Sequence, residues 1–293
     1  MKLAEGNTAG YSASERNGNL DALRFIAAVG VISVHVGSYP ELADYLGNTI
    51  RSMFRWCVPF FFIMTGYFLS DGTSLVPKVS IERVSVPLRA FVFASAAFFP
   101  VLLITSGPDG VTLETLIRGT HFHLWYLTSL IIALLVCHAF SDIGSRTWLQ
   151  TTAVVLVIAY VGISYFYALS GRRYDLVIVL RELLGIPCLL LGGWLRCLDR
   201  DQYKISFSLL CGGIILSIVE VLVIFKGAGD PGEAQLLFGT LPIALGVLGV
   251  AVSTRDIAPT WLASLGRSES LGIYLYHPAA VLLVASFLAA DVR

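Results

Sequence analysis

Charge is scarce in this chain. Asp, Glu, Lys and Arg make up 14% of its 293 residues, where a soluble globular protein carries about 25%. Hydrophobic residues make up 56%, and mean hydropathy is +0.77. A water-soluble fold of this length cannot cover so much apolar surface. The composition therefore excludes a soluble protein and predicts a polytopic membrane protein. An excess of either sign is also missing, with 20 basic and 20 acidic residues. That leaves no basic patch for nucleic acid and no acidic tail.

Several site signatures are absent too. There is no GxSxG elbow, no GxxxxGK[ST] loop and no HExxH helix, so serine-hydrolase, ATPase and zinc-protease chemistry lack support. The five cysteines (Cys57, Cys137, Cys188, Cys197 and Cys211) show no CxxC or metal-type spacing. They read as thiols packed like small hydrophobes, with no metal site. No internal repeat or low-complexity segment occurs. The first nineteen residues are polar, and no small-residue cleavage site follows the first apolar run. That run reads as a retained first span rather than a cleaved leader.

What the chain does have is long apolar runs. A helix needs about 20 mostly apolar residues to cross a bilayer. Nine runs qualify, at about 20–39, 52–70, 84–105, 123–140, 148–168, 176–195, 205–225, 236–253 and 271–289; a tenth near Trp261 would make ten. Helices are expected because every backbone group must be satisfied within its own segment. The alternating pattern of a membrane barrel is absent. Short connections marked by Gly, Pro or charge leave no room for a soluble domain. The expected organisation is an all-α transmembrane bundle over 20–293, preceded by a cytoplasmic segment 1–19. Of the twenty Lys and Arg, ten fall on the N-terminal side of these spans and seven on the other. This bias predicts a cytoplasmic N-terminus in the cell (inner) membrane.

The first span, LDALRFIAAVGVISVHV (Leu20–Val36), contains Arg24 and His35. Charged and ionisable side chains are costly inside a bilayer and usually face a bundle interior or a watery cavity. Eleven residues are about three helical turns, so both project from one face, ~16 Å apart along the axis. A cytoplasmic anion held by Arg24 could extend a group as far as His35, and the pantetheine arm of acyl-CoA has that order of length. Histidine takes and returns a proton near neutral pH. The alternative is a histidine hydrogen-bonded across helices for packing alone.

The stretch LDALRFIAAVGVISVH resembles the opening of acyltransferase family 3, integral-membrane acyltransferases that often O-acetylate surface polysaccharides. Arg24 and His35 match its Arg-x10-His signature. Val58–Ser70, VPFFFIMTGYFLS, is similar to its Pro-Phe-Phe-Phe…Ser-Gly-Tyr run, with Thr65 in the serine place. His123–Ile131, HLWYLTSLI, resembles its His-Leu-Trp-Tyr/Phe-Leu motif, and Leu271–Pro278, LGIYLYHP, its closing Tyr-Leu-x-His motif. The four segments stand in the family's order across nearly the whole chain. Three departures accompany them. The family's Arg-x-x-Arg pair is reduced to Arg83, because Ser80 stands three residues before it. The extracytoplasmic esterase-like domain of some members is missing. Nine spans stand where ten are typical.

The resemblance implies a short acyl group, acetyl in the first instance, moved from acetyl-CoA or another acyl-CoA to a hydroxyl of an extracytoplasmic glycan or other acceptor. His35 would be the base or transient acyl carrier, and Arg24 would hold the donor. Arg83, with Lys78 and Arg89, would bind CoA phosphates through charge-assisted bonds, or else serve as positive-inside anchors. His123, Trp125 and Tyr126 would offer rings to a sugar, or form an interfacial aromatic belt. Tyr274, Tyr276 and His277 could line the same cavity. Glu220, with no local partner, could orient His35 or balance an arginine. Arg181 and Glu182 read as a structural ion pair, His121 as a loop residue and His138 as interfacial. Two alternatives stay open. A secondary transporter would use the intramembrane Arg, His and Glu as a path. A polysaccharide ligase or polymerase would act on a lipid-linked donor.

Overall fold

The computed structural model describes residues 17–35, 44–140, 146–171, 175–198 and 202–290. Among these residues there are helices and short connections but no strand. The helices are α1 (Gly18–His35), α2 (Asp44–Met53), α3 (Cys57–Leu69), α4 (Ile81–Ser106), α5 (Leu113–Arg118), α6 (Trp125–Phe140), α7 (Arg146–Ser170), α8 (Asp175–Leu183), α9 (Gly185–Arg196), α10 (Gln202–Lys226), α11 (Thr240–Ser253), α12 (Thr260–Ser268) and α13 (Ser270–Ala290).

Among the described residues, six helical stretches are long and apolar enough to cross a membrane: Leu46–Leu69, Ile81–Ser106, Phe122–Phe140, Trp148–Ser170, Leu176–Arg196 and Gln202–Lys226. Two of these join neighbours end to end, α2 with α3 and α8 with α9. The expected nine or ten are not confirmed among the described residues. α1 is diluted by Asn19, Asp21, Arg24 and His35, and residues 36–39 of that expected span lie outside the described ones. α11 has 14 residues, about 21 Å at 1.5 Å per residue against a core of about 30 Å. α12, which carries Trp261, has only nine. Residues 1–16 of the expected N-terminal segment also lie outside the described residues.

The apolar side chains that ordinarily fill a core here also cover the outside. On α4, Ile104 is 85% exposed and Phe93 64%, and on α10 Ile215 is 64% exposed. Such surfaces suit lipid. Because lipid is as apolar as leucine, helix association rests on close packing of small residues. Gly66 on α3 lies on the Leu189 backbone of α9, and Gly192 of α9 lies on the Ile63 carbonyl of α3. A Cβ at either glycine would overlap those atoms. Gly246 packs in the same way against Leu210, and Gly249 against Ser206, joining α11 to α10. Around these crossings Phe60, Phe62, Ile63 and Leu189 are fully buried.

α1 is tied to the bundle at its start. The Asp256 carboxylate accepts the Gly18 amide at 2.7 Å. Asn17 donates to the Ala251 carbonyl at 3.0 Å. The Asn19 side-chain oxygen accepts the Ile257 and Ala258 amides, both at 3.1 Å. Asn17, Ser70 and Arg196 share a cavity at this end, so the start of α1, the end of α3 and the end of α9 meet here. His35 lies at the opposite end of α1.

Candidate active site

His277 and Pro278 set the chemistry of the His35 end. In a helix the amide of residue 278 would bond the carbonyl of residue 274, but proline has no N–H. The Tyr274 carbonyl is thereby freed, and His277 Nδ1 lies 2.8 Å from it. Nδ1 must carry the proton to donate there, so Nε2 holds the lone pair. That Nε2 is buried and has no hydrogen-bond partner.

His123 follows the same bookkeeping. It stands in a 3-10 turn, Phe122–Leu124, just before α6. Its Nε2 lies 3.0 Å from the Leu275 carbonyl and so donates to it. Its Nδ1 is then an acceptor, and the 2.8 Å contact with His121 Nδ1 makes His121 the donor. The Tyr274 hydroxyl donates back to the His123 carbonyl, which latches α13 to the turn. Gly119, at φ +95°, turns the chain toward His121, and a Cβ there would meet the Leu124 Cβ at 2.6 Å. Burial holds His121 below the ordinary imidazole value, and the neighbouring His277 adds to this.

His35 faces this group. Its ring stacks on His277 with centroids 5.3 Å apart and planes 20° apart. Phe122 meets it edge-on at 5.1 Å. The His123 and His277 rings lie 5.5 Å apart. Four of the chain's five histidines therefore gather around one point. The fifth, His138, bonds the Val79 carbonyl at 2.7 Å elsewhere. No group of His, Cys, Asp and Glu that could hold a metal ion occurs among the described residues.

Beside the histidines is a cavity of about 200 Å³, lined by His35, His123, Trp125 and Tyr274 together with Arg55, Tyr160 and Arg181. Arg181 lies over the Trp125 ring at 5.0 Å and 3.7 Å from Glu182. That carboxylate also has Arg118 at 3.9 Å, so the expected structural ion pair is a shared one. Tyr126 does not line the cavity. It supports Tyr274 from behind, with centroids 5.0 Å apart, and packs on Phe62 at 4.5 Å. Tyr276 is 42% exposed and faces outward.

Glu220 is placed apart from this cavity. It is buried and accepts from the Tyr165 hydroxyl at 2.5 Å and the Phe238 and Gly239 amides at 2.7 and 2.8 Å. Those amides open α11, so the carboxylate caps that helix where its dipole favours negative charge. With its oxygens occupied, it does not orient His35.

The donor-side residues are dispersed. Arg24 Nη1 lies 3.4 Å from Asp21, which also holds Arg267 at 3.2 Å. Arg24 Nε is buried without a partner. Lys78 pairs with Asp71 at 3.1 Å, whose carboxyl is held well below the usual range by the Thr73 hydroxyl and amide. Arg83 and Arg89 are exposed on α4, Arg89 donating to the Ser85 carbonyl at 3.2 Å. None of these three shares a described contact with Arg24.

Residues that sequence reasoning left aside are His121, Phe122, Arg55, Tyr160 and the cavity-facing part of Arg181. The His-x-His spacing of 121–123 in a histidine-poor chain was the one available signal.

The four motif segments that meet in this bundle define a class. The family model described as an acyltransferase domain matches residues 17–291, and the chain belongs to that acyltransferase family. With its apolar helices, it is a multi-pass membrane protein of that family. Two curated relatives are similar over most of the chain. An amino-acid racemase of Enterococcus faecalis is 28% identical over 301 residues, covering 92% of this chain and 42% of the relative. A serine/alanine racemase of Enterococcus gallinarum is 28% identical over 295 residues, covering 91% and 41%. The chain thus spans about two fifths of the length of each. No solved structure matches.

Proposed function

We propose that this protein moves a short acyl group, acetyl in the simplest case, from acyl-CoA to a hydroxyl of an extracytoplasmic glycan or lipid-linked sugar. The carrying observation is the stack of His35 on His277 beside a cavity, at the end of α1 remote from Arg24. Arg24 holds the donor at the cytoplasmic end. Its buried, unpartnered Nε is a free donor for phosphate. Eleven residues of helix then set ~16 Å between that anchor and His35. The N-terminus is cytoplasmic, and the membrane is the cell (inner) membrane.

His35 takes the proton of the acceptor hydroxyl as its oxygen attacks the thioester carbonyl. A C–O bond forms, the C–S bond breaks, and His35 returns the proton to the leaving thiolate. His277 holds the imidazole of His35 face to face. Trp125 and Tyr274 offer rings to the acceptor, supported by Tyr126, while His123 is fixed by its two hydrogen bonds. Seclusion from bulk water protects the acyl group from hydrolysis. Racemisation, the activity in the relatives' names, is not carried over, because this chain spans only about two fifths of each.

The test is thiol release and radiolabel transfer from acetyl-CoA in membranes holding the native chain or His35→Gln. The native chain releases CoA and labels a product, and His35→Gln does neither. A secondary transporter would release no thiol at all.

A further inference from the structure

The cavity beside His35 is cationic and contains no acid. Arg55 and Arg181 line it, and among the described residues no Asp or Glu does. Arg55 donates through Nη2 to the Gly232 carbonyl, and its Nε is buried without a partner. Among the described residues no carboxylate forms an ion pair with Arg55. Asp230 and Glu233 act on it through space but are hydrogen-bonded to other groups. Asp230 accepts the Gly232 amide at 2.7 Å, and Glu233 accepts the Tyr167 hydroxyl at 2.7 Å. Arg181 likewise has a buried Nε without a partner. Its one carboxylate neighbour, Glu182, is 3.7 Å away and shared with Arg118.

Guanidinium groups withdrawn from water need an opposite charge or hydrogen-bond acceptors. A neutral acceptor offers weaker bonds to the two buried Nε groups that lack a partner. An oxyanion would meet them with charge-assisted bonds, which a planar guanidinium makes in pairs. Trp125 already holds Arg181 in place by cation–π contact at 5.0 Å.

We propose that Arg55 and Arg181 form an anion clamp beside His35, so that the acceptor carries a carboxylate or phosphate close to its reactive hydroxyl. This deepens the acyltransferase function proposed above and rests on it for the word acceptor; the clamp itself is tested without any donor.

The test uses the full chain in detergent, with binding read by thermal stabilisation. The probes are D-glucuronate, inorganic phosphate and neutral D-glucose. At least one anion is expected to stabilise the native protein saturably, at a concentration about tenfold or more below that needed with glucose. The glucuronate and phosphate arms distinguish a carboxylate from a phosphate ligand. Arg55→Gln and Arg181→Gln should each weaken the anion about tenfold and leave glucose unchanged. Arg55→Lys and Arg181→Lys, which keep the charge and fold if the Gln variants do not, should weaken it less. The clamp is refuted if neither anion outperforms glucose, or if the variants bind anions as the native chain does. Radiolabel from acetyl-CoA is followed separately. Anion binding without any acyl transfer would overturn the enzyme function while leaving the clamp standing.

Discussion

Replacing His35 separates chemistry from packing, because the structure sets a ceiling on what packing can explain. The ring of His35 touches two others, Phe122 at 5.1 Å and His277 at 5.3 Å. An aromatic pair contributes about 0.5–1.5 kcal/mol beyond area burial, so the two ring contacts that His35→Ala loses amount to about 1–3 kcal/mol. A protein of about 5 kcal/mol stability, the low end for native folds, would retain about 2 kcal/mol and stay about 97% folded. Loss of packing therefore removes only a few per cent of activity. Loss of a general base removes a factor of about 10²–10⁴. The two effects do not overlap in size. His35→Phe sharpens the contrast, since it keeps a ring against Phe122 and His277 but offers no lone pair. The assay is acyl transfer from labelled acetyl-CoA, with detergent melting on the same preparations. His35→Phe should melt near the native temperature and be inactive, and His35→Ala should melt lower and be equally inactive. A His35→Phe or His35→Gln protein active within about tenfold of native would refute the assignment of His35 as base.

Arg24→Ala should weaken acyl-CoA binding about tenfold or more while the protein stays folded, and Arg24→Lys should recover only part, as read by equilibrium binding of labelled donor. Gly192→Leu should lower detergent stability sharply, because its side chain would enter the space of the Ile63 carbonyl and the Tyr67 amide. Gly162→Ala, where a Cβ meets nothing within 4 Å, should raise stability by about 0.5–1 kcal/mol. Since burial lowers the native pKa of His121 from 6.5, the native state binds fewer protons there than the unfolded chain. The stability it contributes is present above pH 6.5 and is lost as pH falls through the lowered native value. A melting series should show this decline, and His121→Phe should lessen it. Thr73→Cys, exposed in the connection after α3, should resist an impermeant thiol reagent in intact cells; labelling from outside would reverse the orientation.

The motif segments were legible because they concentrate residues that are expensive in lipid. Arg24 and His35 needed no tertiary information to stand out. The convergence of His35, His123, Trp125, Tyr274 and His277 on one end of the bundle follows the motifs in the chain. Glu220 was misjudged for a physical reason. It lacked a partner in its own helix, but a carboxylate can be satisfied by amides eighteen and nineteen residues away, at Phe238 and Gly239. Arg55 was left aside because its surroundings come from distant segments, at Gly232 and Tyr160. His121 was set aside because its position depends on the positive φ at Gly119, which composition does not reveal. The expected span at α11 is shorter in the structure, where the apolar run 236–253 begins four residues before the helix does at Thr240. Glu220 holds the approach to α11 in a turn, so hydropathy there overestimates helix length.

The sequence His277–Pro278 shows how a local defect can produce a site. Proline withdraws one helical donor, and the cost of an unsatisfied carbonyl would ordinarily count against it. The adjacent histidine covers that carbonyl with Nδ1. In doing so it commits its tautomer and leaves Nε2 as a buried lone pair. The same helix gives the Leu275 carbonyl to His123 and the Tyr274 hydroxyl to the His123 backbone. One turn of α13 therefore fixes two imidazoles. His35 is held against one of them by α1, whose start is locked at the far end through Asn17, Gly18 and Asn19. Position along α1 cannot drift without breaking those bonds. His35 and Arg24 on one rigid rod, one end seated on α13 and the other on the connection between α11 and α12, keep their spacing by construction.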